Sequence, residues 1–140
     1  MPADFLDTNV ILYLLDDGAK AERAEELLLR GGVISVQVLN ETLVNCIRKA
    51  GMSWQEAGAF LHGIRRLCKV VDLTAEMHDV GAALSEKYQL SVYDSMIVAA
   101  ALVSGCTRLW SEDMSDGLVV EHRLEIRNPF EESHALRSRD

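Results

Sequence analysis

The sequence has little of what marks a membrane or secreted protein. Its longest uninterrupted apolar run, from Met96 to Val103, has eight residues, far short of the roughly 20 that a membrane-spanning helix needs. The N-terminus carries Asp4 and Asp7 where a secretory signal would be basic. The three cysteines lie far apart without a C-x-x-C pair, which favours free thiols over a disulfide scaffold or a zinc site. These absences predict a cytoplasmic protein that has no membrane anchor.

Positive charge is also scarce, because 14 Lys and Arg residues are set against 22 Asp and Glu, for a net charge of -8. This balance disfavours a protein that binds nucleic acid by bulk electrostatic attraction. It permits an acidic site for divalent cations, since bound ions would reverse the local field. The chain has 140 residues, about half of them hydrophobic, which predicts one domain with its own core and excludes disorder over most of its length.

Strand-like and helix-like segments alternate along the chain. Short apolar or β-branched segments predict strands at residues 3–6, 33–36, 70–73 and 108–110, with a fifth at 118–120 or 124–127. Composition and apolar spacing predict helices at 19–30, 38–49, 53–68, 74–88 and 95–104, the last buried because it is apolar on every side. Ser53 and Glu56 form a capping-box signature, and Thr74 is a candidate helix cap. The alternation predicts a parallel sheet covered by helices, with the ligand site beyond the carboxyl ends of its strands.

Four acidic residues fall where such a site is expected. Asp7 directly follows the first strand, and Asp113 comes three residues after the strand that ends at Trp110. Asp94 begins the buried helix, and Glu41 lies one turn into the helix after the second strand. Because the carboxyl ends of parallel strands share one edge of the sheet, all four acids are expected to converge there.

Each acid also has a local explanation. Asp7 and Asp94 are suited to capping helices. Glu41 suits a solvated helix face, and Asp113, like Asp116, suits a turn. Carboxylates gathered in one place, however, raise one another's pKa unless a cation neutralises them. Mg²⁺ and Mn²⁺ prefer oxygen ligands, so the four acids together favour a divalent-cation site over separate local roles.

The residues around these acids resemble the four motifs of PIN-domain nucleases. The motifs are Phe5-Leu6-Asp7-Thr8-Asn9-Val10, Asn40-Glu41, Tyr93-Asp94-Ser95 and Ser111-Glu112-Asp113-Met114-Ser115-Asp116-Gly117. The closing Arg127-Asn128-Pro129-Phe130 is similar to the end of the C-terminal strand in many VapC-type toxins of bacterial toxin–antitoxin pairs. The resemblance extends from Asp4 to Phe130. We therefore expect a single PIN-like domain over residues 1–130, and the polar residues 131–140 are expected to form a flexible tail.

The resemblance implies a three-layer α/β/α sandwich with a mainly parallel central sheet. It also implies an endoribonuclease that uses one or two Mg²⁺ or Mn²⁺ ions to cleave phosphodiester bonds in RNA. Such a protein would be the toxin of a toxin–antitoxin pair, held by its cognate antitoxin and present as a homodimer.

Site residues follow from the same resemblance. Asp7, Asp94 and Asp113 would hold the metal, with Glu41 as a further catalytic ligand or as a hydrogen-bond acceptor beside them. A bound ion lowers the pKa of its water, which makes hydroxide available for attack on phosphorus. Asp116 is an additional candidate ligand, at a position that varies in the family. Three auxiliary residues would orient the ligands or a phosphate by hydrogen bonds: Thr8, Asn9 and Ser111.

Two other functions stay open at this point. A haloacid-dehalogenase-like phosphatase also begins with an Asp after its first strand, but it needs a second Asp two residues later, where this chain has Asn9. A non-catalytic module that binds metal and contacts partners is disfavoured because none of the four acids is replaced. Assays of metal-dependent cleavage of RNA and of a phosphate monoester would distinguish the three functions.

Overall fold

The computed structural model describes residues 3–131 and contains one six-stranded sheet. Its strands are β1 (Phe5–Leu6), β2 (Gly32–Ser35), β3 (Cys68–Val71), β4 (Arg108–Trp110), β5 (Val119–Val120) and β6 (Leu124–Arg127). Their spatial order is β3-β2-β1-β4-β6-β5, and every neighbouring pair is parallel except the antiparallel hairpin of β5 and β6. The expectation of a mainly parallel sheet is confirmed.

Six helices surround this sheet. They are α1 (Thr8–Leu12), α2 (Ala19–Leu29), α3 (Val36–Arg48), α4 (Trp54–Leu67), α5 (Ala75–Tyr88) and α6 (Val92–Val103), and a 3₁₀ turn, Tyr13–Leu15, follows α1. The arrangement confirms the expected α/β/α sandwich. Within residues 3–131, no helix combines the length and the apolar character that crossing a bilayer would require.

The core contains buried residues of the strands and of all six helices, and α6 contributes more of them than any other helix. Both residues of β1 are buried, as are all four of β2, which agrees with the apolar strands of a sheet covered on both faces. Seven residues of α6 are buried, so the expectation of a buried apolar helix is confirmed. Gly81 lets α5 and α6 approach each other closely, because a Cβ at Gly81 would lie 2.7 Å from the Met96 sulfur.

Helix caps explain where several boundaries differ from those expected. Helix α6 begins at Val92, before Asp94, because the Ser91 hydroxyl accepts a hydrogen bond from the Asp94 N–H at 3.2 Å. Strand β2 ends at Ser35, whose side chain caps α3, so that helix begins at Val36, two residues earlier than expected. The predicted capping box of α4 and the predicted cap of α5 are both confirmed.

Strand boundaries shift for similar local reasons. The strand expected at residues 70–73 lies two residues earlier, as β3, because α4 ends at Leu67 and Cys68 already pairs with Gly32. The first strand is shorter than expected and covers only the last two of residues 3–6. Both candidates for the fifth strand are strands, joined by a turn in which Glu121 and His122 have φ of 53° and 57°. Residues 132–140, nearly all of the predicted tail, lie outside the described residues.

Candidate functional site

The parallel pairing of β1 with β4 brings the first and last sequence motifs together. Leu6 pairs with Trp110, so Asp7 and Ser111 follow side by side at the carboxyl edge. The Ser111 hydroxyl donates to Asp7 Oδ2 at 2.7 Å. Asp7 Oδ1 accepts the Thr8 N–H at 2.7 Å and thereby caps α1. Asp7 is therefore both a helix cap and a member of the site, so the local explanation and the site explanation are compatible.

Asn9 links two of the candidate acids. Its Nδ2 donates to Asp7 Oδ2 at 3.2 Å and to Asp113 Oδ2 at 3.1 Å. Its Oδ1 accepts the Glu112 N–H at 3.1 Å. The side-chain amide of Asn9 thus holds the carboxylates of Asp7 and Asp113 and the backbone N–H of Glu112.

Glu41 reaches the same place from α3. Its Oε1 accepts the Thr8 hydroxyl at 2.8 Å, and its Oε2 accepts Gln37 Nε2 at 2.8 Å. Asn45 donates to the Glu41 carbonyl at 2.8 Å. Because residues four apart share one face of a helix, these contacts place the polar stripe of α3 along the site and not simply towards solvent.

Asp94 completes the set as the third residue of α6, and its side chain is half-buried. All four acids, Asp7, Glu41, Asp94 and Asp113, line one open cleft of about 550 Å³. They come from four separate segments of the chain, so the predicted convergence at the carboxyl edge is what the structure shows. We call these four residues the acidic floor.

Burial and mutual repulsion raise the pKa values of two floor residues, Asp7 and Asp94. Burial raises the pKa of Asp7 to about 6, with smaller contributions from the charges of Asp94 and Glu41, against opposing hydrogen bonds from Ser111 and Thr8. Burial likewise raises the pKa of Asp94, and the charges of Glu41 and Asp113 add to it. The ionised states of Asp7 and Asp94 are therefore less favoured than in water, and a bound cation would compensate their charge.

With this geometry established, the family can be assigned. The sequence matches the PIN domain family over residues 5–115, which includes all four acids of the floor. The chain belongs to the PIN-domain family. No curated protein matches it significantly.

Solved structures share this PIN fold at low sequence identity. A toxin–antitoxin complex from Klebsiella pneumoniae is similar at 17% identity over 92% of this chain and 99% of that chain, with a TM-score of 0.72. The DNA-bound VapBC of Salmonella typhimurium is similar at 18% identity over 92% and 99%, with a TM-score of 0.69. VapC20 of Mycobacterium tuberculosis, a sarcin-ricin loop cleaving toxin, is similar at 22% identity over 86% and 99%, with a TM-score of 0.67. At these identities the likeness concerns the fold.

The donor set of this PIN domain fits a hard divalent cation. Carboxylate oxygens are the ligands that such ions prefer, and a bound cation would offset the burial and the smaller mutual repulsion that raise the pKa values of Asp7 and Asp94. Within residues 3–131, no three acidic, imidazole or thiol groups are already gathered as ligands of one ion. Mg²⁺ commonly keeps several waters and binds protein through one or two carboxylates. The floor suits that mode of binding better than an all-protein cage.

Asp116 lies apart from the floor. Its Oδ1 accepts the Asn128 N–H at 2.8 Å and is 3.4 Å from Arg127 Nε. It is not among the residues that line the cleft in the described part of the chain. These contacts tie the turn after β4 to the segment after β6.

The cleft also contains residues that sequence reasoning left unassigned. On one rim, the Tyr13 hydroxyl donates to Glu112 Oε1 at 2.7 Å, and the Lys20 ammonium contacts both of them. No sequence pattern indicates these two contacts with Glu112, which join residues 99 and 92 positions apart. On the other rim lie Asn45 and Lys49, which continue the four-residue spacing from Glu41 and could have been found from that spacing.

Proposed function

We propose that this PIN domain is an endoribonuclease that requires Mg²⁺ or Mn²⁺ and hydrolyses phosphodiester bonds in RNA. The observation that carries the proposal is the acidic floor itself. Four carboxylates converge in one open cleft, and within residues 3–131 no Lys or Arg forms an ion pair with any of them. Membership of the PIN family and the fold shared with a sarcin-ricin loop cleaving toxin support the same activity.

Asp7, Asp94 and Asp113 would hold one or two ions. Such ions, when bound, lower the pKa of water and neutralise charge on a reacting phosphate. The protein's own part is to fix the ligands, since the Asn9 amide donates hydrogen bonds to both Asp7 and Asp113. Preorganised ligands of this kind reduce the rearrangement needed at the moment of reaction.

Glu41 is the acid that α3 contributes to the floor, and it is firmly held. Both of its carboxylate oxygens accept hydrogen bonds, from Thr8 and Gln37. Positioned in this way, it would supply a further ligand to a cation or accept a proton near Asp7. Ser111 holds Asp7 from the opposite side through its hydroxyl, so we assign Thr8, Asn9 and Ser111 the orienting roles.

The phosphatase alternative is disfavoured by Asn9. That enzyme class needs a general acid two residues after its nucleophilic Asp, and an amide cannot supply a proton at that position. The Asn9 amide instead donates to two carboxylates at once. Its contacts suit a residue that orients ligands.

The direct test is cleavage of a 5′-labelled RNA by purified protein with Mg²⁺ or Mn²⁺. We expect cleavage by wild type, none in EDTA, and no hydrolysis of p-nitrophenyl phosphate. Asp94→Asn should be inactive, whereas Asp79→Asn, the same exchange at an exposed position on α5, should match wild type. Undiminished cleavage with metals stripped, or turnover of the monoester alone, would show that the proposed chemistry is wrong.

We also propose that the protein is the toxin of a toxin–antitoxin pair. The structural neighbours include toxin–antitoxin complexes, and the uncompensated acidic floor suits a basic segment of an antitoxin. An Arg or Lys of that segment would pair with the carboxylates and exclude metal. Titration calorimetry of the antitoxin's basic peptide should show weaker binding to Asp94→Asn than to wild type. Equal binding, together with equal inhibition by a peptide that lacks its basic residue, would leave only steric blocking.

The homodimer and the cytoplasmic location remain proposals of the same kind. A dimer predicts twice the chain mass of 15.5 kDa in light scattering at micromolar concentration. A monomer under those conditions would contradict it.

A further inference from the structure

The two rims of the cleft differ in their available positive charge. Lys49, directly after α3, is the only Lys or Arg among the described residues that line the cleft. Within residues 3–131, no acidic side chain forms an ion pair with it. Its side chain is exposed, so its charge faces solvent in the cleft.

Lys20, near the opposite rim, is placed differently. Its ammonium is bound to Glu112 and to the Tyr13 hydroxyl, and it lies 5.0 Å from the centre of the Tyr13 ring. A lysine already neutralised by a carboxylate attracts a second anion weakly. An anion that enters the cleft therefore meets available positive charge on the α3 side.

The helix fixes how far this charge lies from the acidic floor. Glu41 and Asn45 lie on one face of α3, and Lys49, the residue directly after the helix, continues their four-residue spacing at its outer end. Eight residues of helix span about 12 Å, and the flexible lysine side chain covers part of that distance. When the reacting phosphate of an RNA chain faces the floor, the Lys49 ammonium thus reaches a neighbouring phosphate of the same chain.

We propose that Lys49 binds a backbone phosphate of the RNA strand next to the phosphate that is cut. This inference rests on the proposed ribonuclease function and identifies where its substrate backbone is held. A net charge of -8 repels RNA over distance, so binding depends on local contacts. A lysine supplies such a contact as a point charge, without the bidentate geometry that an arginine would impose. Lys49 therefore anchors substrate and takes no part in bond cleavage.

The test compares three variants with wild type on a fluorescein-labelled single-stranded RNA in Mg²⁺. Lys49→Gln should raise KM about threefold to tenfold, the range between exposed and partly buried ion pairs, while kcat changes less than twofold. The slope of log KM against log salt should fall by about 0.7, the value for one phosphate contact on single strands. Lys49→Arg should restore most of both.

Arg48→Gln is the matched control, because it removes one positive charge at the adjacent position, which does not line the cleft. We expect its KM and salt slope to stay within twofold of wild type. Wild-type values in Lys49→Gln, or equal losses in both variants, would overturn the proposal, since charge would then act generally or not at all. Unchanged circular dichroism and melting temperature confirm that each variant is folded.

Anisotropy of the same RNA, measured on an Asp113→Asn background, separates this inference from the ribonuclease proposal. A wild-type protein that fails to cleave RNA contradicts the ribonuclease proposal. A loss of affinity confined to Lys49→Gln still supports the phosphate contact, because the binding measurement needs no cleavage. Affinity equal to that of the parent variant overturns the contact whatever the activity.

Discussion

Acidic residues in two regions of this protein differ in how their charge is balanced. On the rim of the cleft and on the outer surface, five acids form ion pairs with Lys or Arg: Glu26, Glu112, Asp116, Glu121 and Glu125. On the acidic floor, the four carboxylates face one another, and within residues 3–131 none has such a partner. The floor is distinguished because its four carboxylates without an ion-pair partner are gathered in one cleft, where a cation is expected to bind.

Two consecutive residues show the difference most clearly. Burial acts to raise the pKa of Glu112, but hydrogen bonds from Lys20 and Tyr13 outweigh it, and the pKa is lowered. Its neighbour Asp113 accepts a hydrogen bond from the neutral amide of Asn9, and the charge of Asp113 helps to raise the pKa of Asp94. One acid contributes to a stable rim, while the next contributes to repulsion that a metal ion would relieve.

The largest expected effect comes from substituting Asp113 and Glu112 in two separate variants. Asp113→Asn should lower kcat/KM for RNA by at least about 100-fold, since a lost metal ligand removes several kcal/mol of transition-state stabilisation. Glu112→Gln should lower it by less than about fivefold, because Glu112 is held by the rim. Steady-state cleavage assays with matched circular dichroism measure both. Equal losses would mean that floor and rim do not differ in function.

Metal should stabilise the floor and leave the paired acids unaffected. An ion at about 100 times its Kd adds about 2.7 kcal/mol to the free energy of unfolding. We therefore expect Mg²⁺ to raise the melting temperature of wild type by several degrees above NaCl of equal ionic strength. Asp94→Asn should show a much smaller rise and Glu26→Gln the full one. A rise that persists in Asp94→Asn would place the ion elsewhere.

The acidic floor was predictable from sequence because topology decides it. In a parallel α/β fold, residues that directly follow strands meet at one edge whatever the details of packing. Asp7 and Asp113 needed only the strand assignments at β1 and β4. Glu41 and Asp94 needed only the helices that follow, so a three-residue error in the start of α6 did not displace Asp94.

The rim and the role of Asp116 were not predictable in the same way. Glu112 meets Tyr13 and Lys20 because the loop after β4 lies beside the 3₁₀ turn and the start of α2, and no periodicity encodes those contacts. Turn chemistry placed Asp116 in a turn but not the direction of its side chain. The start of α6 was ambiguous because Ser91 and Asp94 are both good capping residues, and only the backbone shows which one caps.

The raised pKa of Asp7 makes stability without metal depend on pH. The value in the folded protein, about 6, lies above the ordinary 3.8, so the folded state binds this proton more tightly. Its stabilisation is fully present below about pH 4 and is lost as pH rises through 6, amounting to roughly 3 kcal/mol.

Urea unfolding in EDTA between pH 4 and 7.5 measures this dependence. The free energy of unfolding should fall more steeply with pH in wild type than in Asp7→Asn, whereas Asp79→Asn should follow wild type. Parallel curves for wild type and Asp7→Asn would show that folding does not raise the pKa of Asp7.

The smallest expected effect concerns Asp116, and it tests whether this residue belongs with the ion-paired acids or with the acidic floor. Its carboxylate accepts the Asn128 N–H and lies against Arg127, both near the surface. Asp116→Ala should therefore lower the free energy of unfolding by about 1 kcal/mol, a charged hydrogen bond discounted for exposure, with RNA cleavage within about twofold of wild type. Asp116→Asn keeps an acceptor oxygen for the Asn128 N–H and should recover most of that stability. If Asp116→Asn instead keeps full stability but loses cleavage as Asp113→Asn is expected to, Asp116 is a metal ligand and the floor contains five acids.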